Sequence, residues 1–313
     1  MIEAGAVLNE QMASGANQTY ILNPNAGRRG RRQRNRLIER LHRAAPEAEI
    51  LQTTRRGEAE ILARARCDDP TRVVIAVGGD GTVHEVGSAL VGAAAALGVL
   101  PTGSGNDFAS MVRVPEDMDR AAEFFASQPI RRCDAGRVEW VNADGSRGTA
   151  AFINGLGLGF EGAVAARAET LSRVPGLLRY LLAVASELPG YRSAQMTLGC
   201  ESDHWDARQF LVAVGNGRRA GGGFLLNPEA VIDDGWLDLC RADDLPLHRL
   251  LRILPRVFTG GHLGCEGVHA GRCRRLHVTS VPPTPVHADG EVLTRDAVEL
   301  TVSIAAASLR LVG

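Results

Sequence analysis

The chain has 313 residues, of which 45% are hydrophobic and 23% charged, and a formal net charge of −1. That length and balance fit one large or two ordinary globular domains with a sizeable core, and the near-neutral charge argues against nucleic acid as a partner held by bulk charge. All 35 basic residues are arginine, and the lack of lysine excludes a Walker-type P-loop, the strand lysine of protein kinases and Schiff-base chemistry.

Residues 1–17 have neither a basic start nor an apolar core, so no signal peptide is expected. No run approaches the roughly 18 apolar residues of a membrane span. Cys67, Cys133, Cys200, Cys240, Cys265 and Cys273 are scattered without a CxxC pair, which suits reduced thiols in a cytoplasmic protein.

In chain order, the segment TYILN reads as a strand that breaks at Asn23-Pro24-Asn25 and turns through Gly27. A helix is predicted over 31–45, then a strand at EILQTT and a helix over 58–67. Arg28, Arg29, Arg31, Arg32, Arg34 and Arg36 make a basic run at the first helix. A solvated helix face, anionic lipid headgroups and nucleotide phosphates are its open readings. Residues 73–77 are apolar and β-branched, the pattern of a strand buried on both faces. Gly78, Gly79, Asp80, Gly81 and Thr82 follow, and Val83, Val86, Leu90 and Val91 then recur at helical spacing. A strand feeding a glycine turn into a helix exposes backbone N–H groups to an anion. Asp80 repels a bare phosphate unless a divalent cation lies between them, so the motif points to a Mg-nucleotide site. A second unit, GVLPTGSGNDFA at 98–109, repeats the arrangement and sets Asn106 and Asp107 at a helix start. Three polar loops thus follow three strands, and in open α/β sheets ligands bind at the carboxyl ends of the strands.

After Cys133-Asp134-Ala135-Gly136 the pattern changes to short strands with turn residues between them, as in an antiparallel sandwich. Helical stretches at 164–188 and 247–258 interrupt it. The predicted architecture is a doubly wound α/β domain over 1–138 and an all-β sandwich domain over 139–303, with 304–313 returning to the first domain. The apolar stretch VPGLLRYLLAVASELPG fits an acyl pocket or core packing equally. His262, Cys265, His269, Cys273 and His277 have ligand-type side chains, but a strand over 272–278 turns alternate residues apart, so no zinc site is expected.

These motifs together resemble the diacylglycerol kinase catalytic-domain family, which includes sphingosine kinases, ceramide kinases and bacterial relatives. The marks are NPNAG, TTRRGEAEILAR, GGDGTVHEV, PTGSGNDFA, CDAGRV, FINGLGLGFEG, GNGRRAGGGFLLNPEAVIDDGWLDL and HADGE. GGDG is shared with NAD kinases and phosphofructokinases; the later motifs are far more specific. The resemblance implies ATP- and Mg²⁺-dependent phosphorylation of a lipid hydroxyl in a cleft between the two domains. It implies an ATP site lined by Asn23, Thr54, Gly79, Asp80, Gly81, Thr82, Val83, His84, Glu85 and Ser104, with Asp80, Asp107 and Asp134 around the nucleotide-bound Mg²⁺. It implies a structural metal held by the Asp234 side chain and the carbonyls of Val231 and Trp236, where the residues alone read as a hairpin turn. Asp289 or Glu291 of HADGE is then the carboxylate that takes the proton of the attacking hydroxyl. Expected partners are a lipid substrate reached by peripheral contact with the inner face of the membrane, and a second copy of the chain. A non-catalytic nucleotide or lipid sensor on the same fold and a kinase of a soluble acceptor are the competing readings.

Overall fold

The computed structural model describes residues 17–26, 31–115, 117–171, 174, 176–201 and 203–313, without the side chains of Arg31, Gln33 and Arg34. Arg28 and Arg29, and the side chains of Arg31 and Arg34, therefore lie outside the described residues; Arg32 and Arg36 are exposed.

The first half alternates β1 (Gln18–Leu22), α1 (Arg31–Ala44), β2 (Glu49–Gln52), α2 (Glu58–Arg64), β3 (Val73–Gly78), α3 (Asp80–Leu90), β4 (Ala96–Pro101) and α4 (Met118–Ser127). Strands β2, β1, β3 and β4 lie side by side, all parallel. Because side chains alternate along a strand, each one feeds two cores. Ile21, Val74, Ala76, Leu97 and Val99 pack with Ala59 and Ala63 of α2 and Val83 and Val86 of α3. Tyr20, Leu22, Val73, Ile75 and Val77 pack on the other side with Leu41 of α1 and Ala121 and Phe125 of α4. Helices on both faces of a parallel sheet make this half doubly wound.

The second half runs β5 (Ile130–Asn142), β6 (Arg147–Phe152), β7 (Gly155–Gly159), α5 (Phe160–Thr170), α6 (Gly176–Glu187), β8 (Ala194–Cys200), β9 (Asp203–Gly215), β10 (Leu237–Asp243), α7 (Leu247–Ile253), β11 (Val268–Cys273), β12 (Arg275–Ala288) and β13 (Glu291–Val312). Its strands pair antiparallel in the order β11-β10-β9-β7-β12-β13, with β8 joining β9 and β12 and β5 joining β6 and β13. Val138, Leu156, Leu198, Val214, Val278 and Leu300 belong to the apolar core of this sandwich. Phe160, Val184, Phe210, Ala213 and Cys240 belong to a further cluster, where α5, α6 and α7 meet β9 and β10.

Two long strands tie the halves together. The end of β13 runs parallel to β4, with Leu311 opposite Leu97, and pairs antiparallel with the start of β5, Leu309 opposite Cys133. Leu309 and Leu311 are fully buried. Leu311→Ala is therefore expected to lower the free energy of unfolding by about 2–5 kcal/mol, the usual cost of a leucine cavity. In a denaturant titration, a loss below about 1 kcal/mol would show that this strand does not carry the junction.

Candidate active site

The two glycine units touch. Strands β3 and β4 are in register, Gly78 opposite Pro101, so their following loops emerge side by side. A Cβ on Gly103 would overlap the Gly79 Cα, and one on Gly79 would crowd the Gly103 Cα at 3.3 Å. Asp80 opens α3 and reaches across this contact. Its Oδ1 accepts from the Asp107 N–H at 2.7 Å and its Oδ2 from the Asn106 N–H at 2.9 Å. Asn23 donates through Nδ2 to the Thr82 hydroxyl at 3.2 Å, which draws in the first loop. Asp107 is 6% exposed; its Oδ2 accepts from the Gly222 N–H at 2.8 Å, while Oδ1 has no partner.

Opposite this mouth lies the turn between β12 and β13. Ala288 pairs with Glu291, and Asp289 and Gly290 have φ of +50° and +87°. Two central residues with positive φ form the type I′ hairpin turn that Asp-Gly favours. The tip of such a turn is usually solvated, but the Asp289 side chain is 4% exposed. Its oxygens accept four hydrogen bonds: from the N–H groups of Ile153, Asn154 and Gly155 at 2.8–3.0 Å, and from His84 Nδ1 at 2.8 Å. Burial pushes the Asp289 pKa up, but His84 and the three amides outweigh it and hold the carboxyl below its ordinary range. Burial likewise opposes a charge on His84, and the Asp289 carboxylate overrides it, raising the imidazole pKa. An ionised Asp289 fixes the proton of neutral His84 on Nδ1 and leaves Nε2 as an acceptor. Glu291 is ion-paired with Arg56 and approaches Gly81 at the start of α3.

Asn23, Arg56, Asp80, His84, Asp107, Asp289 and Glu291 all line one cavity of about 800 Å³. Its polar end holds Gly79, Asp80, Ser104 and Asp107; its other end is walled by Val164, Val184, Phe210, Leu250 and Val257. Thr54 and Glu85 also line it, yet their polar atoms are engaged locally. Thr54 hydrogen-bonds Glu58, and the Glu85 carboxylate accepts from the Gly57 and Ala59 N–H groups at the start of α2. Val83 is mainly a core residue.

A diacylglycerol kinase catalytic-domain model matches residues 18–138, and a model of the YegS C-terminal NAD kinase beta sandwich-like domain matches 155–313. A diacylglycerol kinase of Mycobacterium tuberculosis is 31% identical over 253 residues, 80% of this chain and 80% of that protein. The chain belongs to the diacylglycerol kinase catalytic-domain family. A Cronobacter sakazakii protein named "Probable lipid kinase YegS-like" is 31% identical over 69% of this chain and 66% of its own length. A solved diacylglycerol kinase structure from Bacillus anthracis Sterne superposes with a TM-score of 0.66 at 18% identity, covering 95% of this chain and 96% of that one. Yeast NADH kinase complexed with NADH gives 0.53 at 12% identity, covering 96% and 83%. At those identities the likeness to the solved structures is one of fold.

Two residues named from the family resemblance are engaged by other partners in this structure. Asp134 does not join Asp80 and Asp107: it is absent from the cavity wall, and its carboxylate accepts from the Gly235 and Ala307 N–H groups, both at 2.7 Å. It clamps the 232–235 turn onto β13. Asp234 does not present a free carboxylate to a metal, because Oδ1 accepts from the Trp236 N–H and Oδ2 is ion-paired with Arg272, which also lies 3.6 Å from Asp238. The guanidinium supplies positive charge beside the Asp234 carboxylate in this arrangement. Among the described residues no group of three or more His, Cys, Asp or Glu side chains has metal-holding geometry. The His/Cys series is dispersed: His262 contacts Cys240 and the Leu226 carbonyl, and His269 pairs with Asp243.

Four site features of this family member were not picked out from the sequence: the His84–Asp289 pair, Arg56, Tyr180 and the Gly222 amide. His84, Arg56 and Gly222 stood inside quoted motifs and Tyr180 inside the quoted apolar stretch, so the signal was present, but nothing local told which partners they meet. Burial, and then the neighbouring Asp80, push the Asp107 pKa up to about 6. The folded protein therefore holds the Asp107 proton more tightly than the unfolded chain, and its stability falls as pH rises from the ordinary 3.8 through about 6. Asp107→Asn keeps an acceptor for Gly222 and carries no charge. Its Tm is expected to exceed that of the wild type at about pH 8, with the gain shrinking near pH 4.5. Calorimetry showing no gain at the higher pH would contradict this electrostatic account.

Proposed function

We propose that this protein transfers the γ-phosphoryl group of ATP to the hydroxyl of a membrane lipid, diacylglycerol or a related acyl lipid. The observation that carries the reading is the single cavity with a donor-rich, carboxylate-flanked mouth at one end and an apolar chamber at the other. A soluble acceptor has no use for the chamber. A sensor has no use for a buried carboxylate kept ionised behind a histidine.

The parts divide the work as follows. The amides of the glycine loops and Arg56 supply positive potential for the phosphates in a chain without lysine. Asp80 and the unpartnered Oδ1 of Asp107 are the residues that would hold a nucleotide-bound Mg²⁺, through its water ligands. That ion would neutralise charge on the phosphates as transfer proceeds. Glu291 fixes Arg56 at the mouth. Asp289 has four donors on its two oxygens and a lowered pKa, so it is a poor proton acceptor itself. Its role in this reading is to orient His84 and stabilise the imidazolium that forms when Nε2 takes the proton of the attacking hydroxyl.

The test is incubation with labelled ATP and a total lipid extract, followed by identification of the labelled product, with Asp80→Asn as the inactive control. Label confined to water-soluble products would refute the lipid assignment. The proton route is tested separately. Wild-type kcat should rise with pH through a pKa above the 6.5 of an ordinary histidine, and His84→Gln should lower kcat about 100- to 10,000-fold and abolish that inflection. A His84→Gln variant with wild-type kcat would place the base elsewhere.

A further inference from the structure

The helices that wall the apolar chamber are also apolar on their outer side. On α6, Tyr180 and Val184 face the cavity. Leu178, Leu181 and Leu182 are 51%, 37% and 44% exposed, and exposed Ala185 continues their stripe. At 100° per residue these four positions fall on the face opposite Tyr180 and Val184. On α7, Leu250 and Ile253 line the cavity while Leu247 and Leu251, one turn apart, are 46% and 53% exposed. Five of the eight exposed large hydrophobic residues among those described thus lie on two helices over one chamber. Scattered surface leucines need no explanation, but their concentration on the outer sides of two helices whose inner sides share one apolar cluster marks an interaction surface.

The charge beside this surface indicates what covers it. Residues 247–258 carry Arg249, Arg252 and Arg256 and no acidic residue. Glu266 offsets Arg249 alone, at 3.2 Å. Leucines flanked by arginines match the boundary of a bilayer with anionic headgroups, where apolar side chains enter the acyl region and guanidinium groups remain with the phosphates. A bilayer is also the phase in which an acyl-chain acceptor resides, and the chamber lies directly beneath these helices.

We propose that Leu178, Leu181 and Leu182 of α6, with Leu247 and Leu251 of α7, dock on an anionic bilayer and deliver the acceptor's acyl chain to the chamber without passage through water. The delivery rests on the lipid-kinase reading; the docking does not. The test is co-sedimentation with phosphatidylcholine vesicles and with mixed phosphatidylcholine–phosphatidylglycerol vesicles. Wild type is expected to bind the mixed vesicles more tightly. The double variant Leu178→Gln/Leu182→Gln should lose binding to both by about tenfold or more, and Arg252→Gln should lose only the preference for the anionic vesicles. Unchanged Tm and unchanged activity on a water-soluble short-chain diacylglycerol would show that the double variant is folded. Wild type that ignores both vesicles, or a double variant that sediments like wild type, overturns the proposal. Leucine-dependent binding without phosphorylation of any lipid would support the docking surface and count against the lipid-kinase reading.

Discussion

The contact between Gly79 and Gly103 is the constraint on which the site depends. Neighbouring parallel strands in register bring two loops to the same edge, and only backbone without Cβ atoms lets them touch. Once they touch, the Asp80 carboxylate spans the gap to the amides of Asn106 and Asp107. That bond organises the mouth of the cavity, and it also brings a second carboxylate close to the first. Burial then raises both pKa values, with the charge of Asp289 adding to the effect at Asp80 and that of Asp80 adding to it at Asp107. The folded chain thus carries a concentration of negative charge beside a row of backbone donors, an arrangement that a polyphosphate with its cation would relieve.

The same logic joins the two halves. Asp289 sits on a sandwich hairpin, yet its partners are three amides at the β6–β7 junction and a histidine on α3. The four bonds hold a turn tip inside the protein and keep its carboxylate ionised. Asp134 performs a similar service further along the junction, linking the 232–235 turn to β13. Each carboxylate therefore acts by the donors that converge on it, and those donors come from distant parts of the chain.

That dependence explains what could be read in advance. Strands β3 and β4 were legible because both of their faces are buried and their residues are apolar, and β1 because its second half, Tyr20-Ile21-Leu22, is apolar and buried as well. The glycine loops were legible because nothing but close backbone approach calls for such runs. The Asp289-Gly290 turn was visible as a turn, but its burial was not, since the amides that receive Asp289 lie more than 130 residues earlier. The partners of Asp134 and Asp234 were hidden from the sequence for the same reason. Gly235 and Ala307 claim the first, and Arg272, 38 residues onward, claims the second. On α6 both faces are apolar, so no hydrophobic pattern could separate chamber wall from outer surface.

The central claim is that the apolar chamber receives the acyl part of the acceptor while the glycine loops hold the nucleotide. It is tested most directly by kcat/KM across diacylglycerols of increasing chain length, for wild type and for a chamber-narrowing variant. Ala242 is 6% exposed and lines the chamber, so Ala242→Phe fills space there without touching the glycine loops. The account predicts a shift of the preferred acceptor to shorter chains with the KM for ATP unchanged. An unaltered chain-length profile in a folded Ala242→Phe variant would contradict it.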